Sequence, residues 1–328
     1  AFKDVGARFM SRCLGYFLKN ETRKVTVLVA TSGDTGGAVA NGFYDVEGIE
    51  VVILYPKNRV SPVQEKQLTA LGKNIHALEV NGSFDDCQAL VKQAFSDESL
   101  NEKLLLTSAN SINVARWLPQ QIYYVLALKQ WLKNNSENPV ICVPSGNFGN
   151  ICAGILAHHR GLPVEHFIAA CNVNDVVPEY LRTEILQPKE TVATISNAMD
   201  VGDPSNFVRI LELFEKEFNQ VKSKLSGYTI DDEETLKTIE RVEKDYGYVL
   251  DPHGAVAFVA LEKYLAENGG KGFFLETAHP VKFPDSVEKA TGKSVEIPKS
   301  LEELMRQEKF TTEINPQYEE LKEFLLKK

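Results

Sequence analysis

Lys24-Val25-Thr26-Val27-Leu28-Val29-Ala30 is a β-branched apolar run that passes directly into the small polar turn Thr31-Ser32-Gly33-Asp34-Thr35. A helix of small residues is predicted next, from about Gly36 to Tyr44. A strand that is apolar at consecutive positions is buried on both faces, as in a parallel sheet covered by crossover helices. The alternation continues outward. Strands are predicted at Val51 to Tyr55, closed by Pro56, at about Asn74 to Val80, at Pro139 to Val143 and at Glu165 to Cys171. Between them fall helices near Pro62 to Leu71, over Phe84 to Phe95 with Cys87, Leu90, Val91 and Ala94 on one stripe, over Asn113 to Lys133, and over Asn150 to Arg160. From Asp231 the chain is charged and helix-rich, apart from an apolar strand at Gly272 to Leu275. This pattern predicts an α/β fold with two open, mainly parallel sheets covered by helices. It places a smaller domain at 1–112 and a larger one at 113–328. A single eight-stranded barrel is the other architecture the alternation permits.

Composition narrows the function classes. The 328 residues are 43% hydrophobic and 25% charged, which describes an ordinary globular chain of about two domains at roughly 150 residues each. A net charge of −9 argues against a nucleic-acid surface. No apolar run approaches the roughly 20 residues of a membrane span, and no signal peptide is legible. Cys13, Cys87, Cys142, Cys152 and Cys171 are widely spaced, with no C-x-x-C pair. They read as reduced packing thiols of a cytoplasmic-type compartment. The histidines lack metal-ligand spacing, and adjacent His158 and His159 point to different helix faces, so no metal is expected.

Ligands in open α/β sheets bind where strands end, so the turns after strands are the candidate sites. Ser145-Gly146-Asn147-Phe148-Gly149-Asn150 follows a strand and opens a helix, where converging backbone N–H groups and the helix N-terminus suit an anion. Its spacing matches neither common phosphate motif, and a generic strand-to-helix turn is the plainer reading. Thr31 to Gly37 offers hydroxyls and amides to a carboxylate or phosphate; here the plainer reading is an N-cap by Ser32 or Asp34. Asn110-Ser111-Ile112-Asn113-Val114-Ala115-Arg116 opens the next helix, with Arg116 suited to a two-pronged phosphate contact or to an exposed surface. Val5, Phe9, Cys13 and Phe17 recur every four residues, which puts Lys3 at a helix N-terminus. The helix field there disfavours a charged lysine and suits a covalently bound one, but from the residues alone a surface lysine at a chain terminus is the plainer reading.

Taken together, Phe2-Lys3-Asp4, Thr31 to Gly36, Ser108 to Arg116, Ser145 to Asn150, Ile195 to Asp200, Asp251-Pro252-His253-Gly254-Ala255-Val256 and Thr277 to Phe283 resemble threonine synthase. The resemblance covers essentially the whole chain. It implies the pyridoxal 5′-phosphate fold called type II, shared with tryptophan synthase β. It also implies conversion of O-phospho-L-homoserine and water to threonine and phosphate. By the same resemblance Lys3 holds the cofactor and then shuttles protons. Gly146, Asn147, Phe148, Gly149 and Asn150 form the cofactor-phosphate loop, Thr277 faces the pyridine nitrogen, and Asp34 stands near the cofactor 3′-oxygen. Thr31, Ser32, Gly33 and Thr35 would take the substrate carboxylate, and Asn110, Ser111 and Arg116 its phosphate. Asn197, Asp200, His253 and His279 lie in family motifs without an assigned role. Family members carry a substantial segment before the lysine, so an N-terminal fragment completing the larger domain is an expected partner. A truncated, non-catalytic relative that binds the cofactor or a phosphorylated metabolite, and an amino-acid dehydratase of the same fold, are the alternative readings.

Overall fold

A computed structural model describes residues 2–19, 21 and 24–327; Ala1, Asn20, Thr22, Arg23 and Lys328 lie outside the description. Its strands are β1 (Val25–Ala30), β2 (Ile49–Pro56), β3 (Ile75–Val80), β4 (Leu105–Ser108), β5 (Val140–Pro144), β6 (His166–Cys171), β7 (Leu225–Thr229), β8 (Gly272–Phe274) and β9 (Thr312–Ile314). They form two sheets, in the orders β4-β1-β2-β3-β9 and β7-β6-β5-β8, and every recorded pairing is parallel. Two separate sheets exclude the single barrel. The chain divides into two compact units, Ala1–Arg116 with Ile297–Lys328, and Trp117–Glu296.

In the first unit the apolar run of β1 is buried at every position. Val27 and Val29 face a cluster with Met10, Val39 and Phe43, while Leu28 and Ala30 face Leu90, Val91 and Leu321. Both faces are therefore covered, which is why the strand lacks polar alternation. Helices Lys3–Phe17 and Asp34–Phe43 meet at Gly42, where an added Cβ would lie 2.8 Å from that of Ala7.

The first unit also contains the end of the chain, a correction to the expected division. The border moves to Arg116/Trp117, and 297–328 belongs with the first sheet rather than with the larger domain. Three features tie it there. β9 pairs with β3, Lys309 Nζ reaches Glu65 at 2.6 Å and Glu79 at 3.1 Å, and Leu321 and Leu325 enter the core.

The second unit repeats the two-faced design. Ile141 and Val143 of β5 face Ile151, Phe167 and Phe207, whereas Val140 and Cys142 face Val256, Ala257 and Ala260 of helix Pro252–Asn268. The helix expected over Asn113 to Lys133 is broken. Val114–Trp117 and Gln121–Trp131 flank a 3₁₀ turn at Leu118–Gln120. Pro119 lacks the N–H that a continuous helix would use there. Four of the five cysteines are buried, and burial pushes the Cys87 thiol up to about 12. Among the described residues no helix is long and apolar enough to cross a membrane.

Leu321→Ala is expected to lower unfolding free energy by about 2–5 kcal/mol, the cost of emptying a fully buried leucine site. Leu326→Ala, at a position 41% exposed, should cost less than about 0.5 kcal/mol. Equal effects in denaturant unfolding would contradict the packing of the last helix.

Candidate active site

The chemistry-bearing segments of the first unit gather at one edge of its sheet. β1 and β4 are parallel neighbours, so the turns after Ala30 and Ser108 emerge side by side. Asn110 Nδ2 donates to Ala30 O at 2.9 Å and joins them. Thr31 is buried, and its Oγ1 accepts from Gly33 N and Gly36 N, each at 2.9 Å. This hydroxyl shapes the turn. Gly33, at φ +139°, is the N-cap of helix Asp34–Phe43, with no side-chain cap bond. The plainer reading of Ser32 or Asp34 as N-cap therefore gives way to an N-terminus framed by Ser32 and Thr35, both half-buried. Asp34 is buried and accepts from Gln64 Nε2 at 3.1 Å.

Lys3 is the first residue of helix Lys3–Phe17. One turn on, Gly6 lies so close to the carbonyl of Arg116 that a Cβ there would collide with it. The backbone approach docks the lysine's helix onto the Asn110–Arg116 segment. Arg116 is not a surface residue: it is 3% exposed, and its Nη1 donates to Ala109 O at 2.7 Å. Burial lowers its guanidinium to about 10, with the charge of Asp4 opposing, so it stays cationic at neutral pH. Asn110 and Ser111 are half-buried beside it.

In the second unit, β5 and β8 are parallel neighbours, and the turns that follow them carry the remaining candidates. Ser145 is anchored by its N–H to Ala170 O at 2.8 Å and by its hydroxyl to Val143 O at 2.8 Å. Gly146 sits against the turn Asn197–Met199, where a Cβ would lie 2.5 Å from Met199 Cα. Asn147 is occupied structurally: its Oδ1 accepts from the N–H and hydroxyl of Ser205, both at 2.7 Å. Phe148 adopts φ 60°, a left-handed conformation that a bulky residue adopts at a cost of roughly 1–3 kcal/mol. It places its ring in the core against Phe207 and caps helix Gly149–His159 without a side-chain bond. Asn150 accepts from the Tyr124 hydroxyl at 2.9 Å. Thr277, two residues after Leu275 bonds Cys142 O, is buried at the same sheet edge.

These residues fit a pyridoxal phosphate. The glycine without room for a Cβ, the left-handed residue and the helix N-terminus free of a side-chain cap make a backbone cradle for a dianionic phosphate. Sequence reasoning missed Gln64, although Ser61-Pro62-Val63-Gln64 carries the capping-box spacing that the structure realises. It also gave His253 and Asp200 no role. The ring of His253 accepts from Ala198 N at 3.1 Å, and Asp200 binds Asn172, Asn174 and Thr194.

Gly146→Ala is expected to weaken pyridoxal phosphate binding by on the order of tenfold or more, because the new methyl must displace the Met199 backbone. Fluorescence titration of the cofactor measures this, and unchanged affinity would contradict the close approach.

The comparisons with known proteins agree with this geometry. Residues 1–273 match the family described as pyridoxal-phosphate dependent enzyme, and residues 254–325 match the threonine synthase C-terminal family. Threonine synthase of Buchnera aphidicola subsp. Acyrthosiphon pisum is 47% identical over 328 residues, covering 100% of this chain and 76% of the relative. The crystal structure of threonine synthase from Escherichia coli superposes with a TM-score of 0.91 at 46% identity, covering 100% of this chain and 75% of that one. A PLP-bound threonine synthase structure from Brucella melitensis matches with a TM-score of 0.91 at 36% identity, over 99% and 75% of the respective chains. The two parallel sheets, the anion cradle and the whole-chain likeness converge, and the chain belongs to the threonine synthase family of pyridoxal-phosphate-dependent enzymes.

Proposed function

We infer that this protein uses pyridoxal phosphate to convert O-phospho-L-homoserine and water into L-threonine and phosphate, the last step of threonine biosynthesis. The observation that carries the reading is Arg116, a buried cation joined through Gly6 to the helix that begins at Lys3. The cofactor phosphate already has its cradle at Ser145 to Asn150. A second anion site beside the lysine's helix is what a phosphorylated substrate requires, and what a dehydratase acting on an unphosphorylated amino acid does not.

Bound to the protein, pyridoxal phosphate supplies the electron sink that lets protons leave carbons of an amino acid. The chain's own residues do the rest. Lys3 holds the cofactor and moves protons at its Nζ. The amides of the turn Thr31–Thr35, set by the Thr31 hydroxyl, take the substrate carboxylate. Asn110, Ser111 and Arg116 hold the phosphate, keep it oriented during its departure and stabilise the charge that it carries away. Asp34, steadied by Gln64, would serve the cofactor 3′-oxygen. The buried Thr277 hydroxyl would partner the pyridine nitrogen of the bound cofactor, where a hydroxyl, unlike a carboxylate, would not hold that nitrogen protonated.

Arg116→Ala is expected to weaken O-phospho-L-homoserine binding roughly tenfold to a hundredfold, the worth of a charge-assisted contact of about 1.5–3 kcal/mol, and to leave cofactor affinity unchanged. Parallel titrations with substrate and cofactor separate the two effects. Loss of cofactor with intact substrate binding would contradict the assignment of two anion sites.

A further inference from the structure

Behind the cofactor-phosphate loop lies a buried polar chain that the reaction as described does not use. Asp251 is fully buried at the N-cap of helix Pro252–Asn268, and His253 is 2% exposed in its first turn. The tautomer of His253 follows from its neighbours. Ala198 N–H donates to Nε2 at 3.1 Å, so that nitrogen carries a lone pair and the ring proton sits on Nδ1, which donates to Asp251 Oδ1 at 2.6 Å. Asp251 N–H donates to Glu276 Oε1 at 3.3 Å, which holds the Glu276 carboxyl beside Asp251. Asp251 Oδ2 and Glu276 Oε2 are both shielded from solvent, and neither meets a donor N–H or O–H of another described residue. Two neighbouring buried carboxylates would repel, whereas a proton held between them would satisfy both oxygens.

The far end of this chain reaches the site. Ala198, held by His253, belongs to the turn Asn197–Met199, and that turn packs against Gly146. The near end is Glu276, the residue before Thr277. We propose that Glu276, Asp251 and His253 are positioning residues for the cofactor. A proton shared by the two carboxyls fixes Asp251, Asp251 fixes the His253 tautomer, and His253 fixes the turn that backs the phosphate loop. The inference rests on reading Ser145 to Asn150 as that loop.

The charges around the relay are consistent with it. Burial first, then the neighbouring Asp251 charge, raises the Glu276 carboxyl from 4.5 to about 9. Asp251 is held low by His253 and Glu276 against its own burial. Tyr248, raised by burial and by both carboxyls, and Asp200, whose charge interacts with His253, also sense the relay. The Phe283 ring packs against His253, with ring centroids 4.9 Å apart. Because the folded state keeps the Glu276 proton between pH 4.5 and about 9, its contribution to stability falls as pH rises through that window and is fully lost above it.

The test compares wild type with Glu276→Gln and His253→Ala, reading cofactor affinity by fluorescence titration and melting temperature against pH. Glutamine keeps a donor and an acceptor but has no proton to lose. Glu276→Gln should bind pyridoxal phosphate about as tightly as wild type at neutral pH. It should also lack the extra decline in affinity and melting temperature that wild type shows towards about pH 9. His253→Ala should lose on the order of tenfold in cofactor affinity, the effect of one lost buried hydrogen bond. The proposal is overturned if Glu276→Gln keeps the wild-type pH profile, or if His253→Ala melts lower yet binds the cofactor unchanged. A wild-type protein that takes up no pyridoxal phosphate would instead overturn the family reading. The pH slope of melting, which needs no cofactor, would still decide whether the shared proton exists.

Discussion

The constraint on which the structure depends is that a parallel sheet must be buried on both faces. Each strand then needs a crossover helix, and every strand's C-terminal end opens into a turn at one edge. In the first unit this delivers Thr31–Thr35 and Asn110–Arg116 from neighbouring strands. In the second it delivers Ser145–Asn150 and Thr277 from another neighbouring pair. No side chain needs to reach far, because strand order has already grouped the turns. The same burial leaves polar groups at these edges costly unless bonded, and Thr31, Asn110, Asn147 and Asn150 each bind backbone or neighbouring side chains.

Close backbone approach supplies the next level of order. Gly6 lets the lysine's helix touch the Arg116 carbonyl, and Gly146 lets the phosphate turn touch Met199. Any larger residue at either position would push those elements apart. Phe148 shows the complementary device: its left-handed backbone is strained, and its ring is anchored in the core, so the strain is held where amides must converge. The polar chain from Glu276 to Ala198 works on the same turn from behind.

Much of this was legible in the residues, for identifiable reasons. β1, β2, β5 and β6 announce themselves as apolar runs because both of their faces are covered. β9 does not, because Thr312-Glu313-Ile314 has one buried residue and is a strand only by pairing with β3. β4, half-buried throughout, and β7, with Ser226 and Gly227 in its middle, lack the same contrast. That missing signal is why the last segment was expected in the wrong unit. The loops of the site were legible because glycine, hydroxyl and amide residues cluster after strands. Arg116 was legible as a cation opening a helix but not as a buried residue, since its 3% exposure is set by tertiary packing that its local sequence does not encode. Glu276 gave no signal. Its meeting with Asp251 is tertiary, and only the Asp251-Pro252-His253 cap is local.

The most direct measurement of the functional account is product analysis with the pyridoxal-phosphate-loaded protein and O-phospho-L-homoserine. The account predicts threonine and inorganic phosphate in equal amounts, and loss of both with Lys3→Ala. Phosphate released together with a 2-oxo acid in place of threonine, or threonine formation that persists without Lys3, would contradict it.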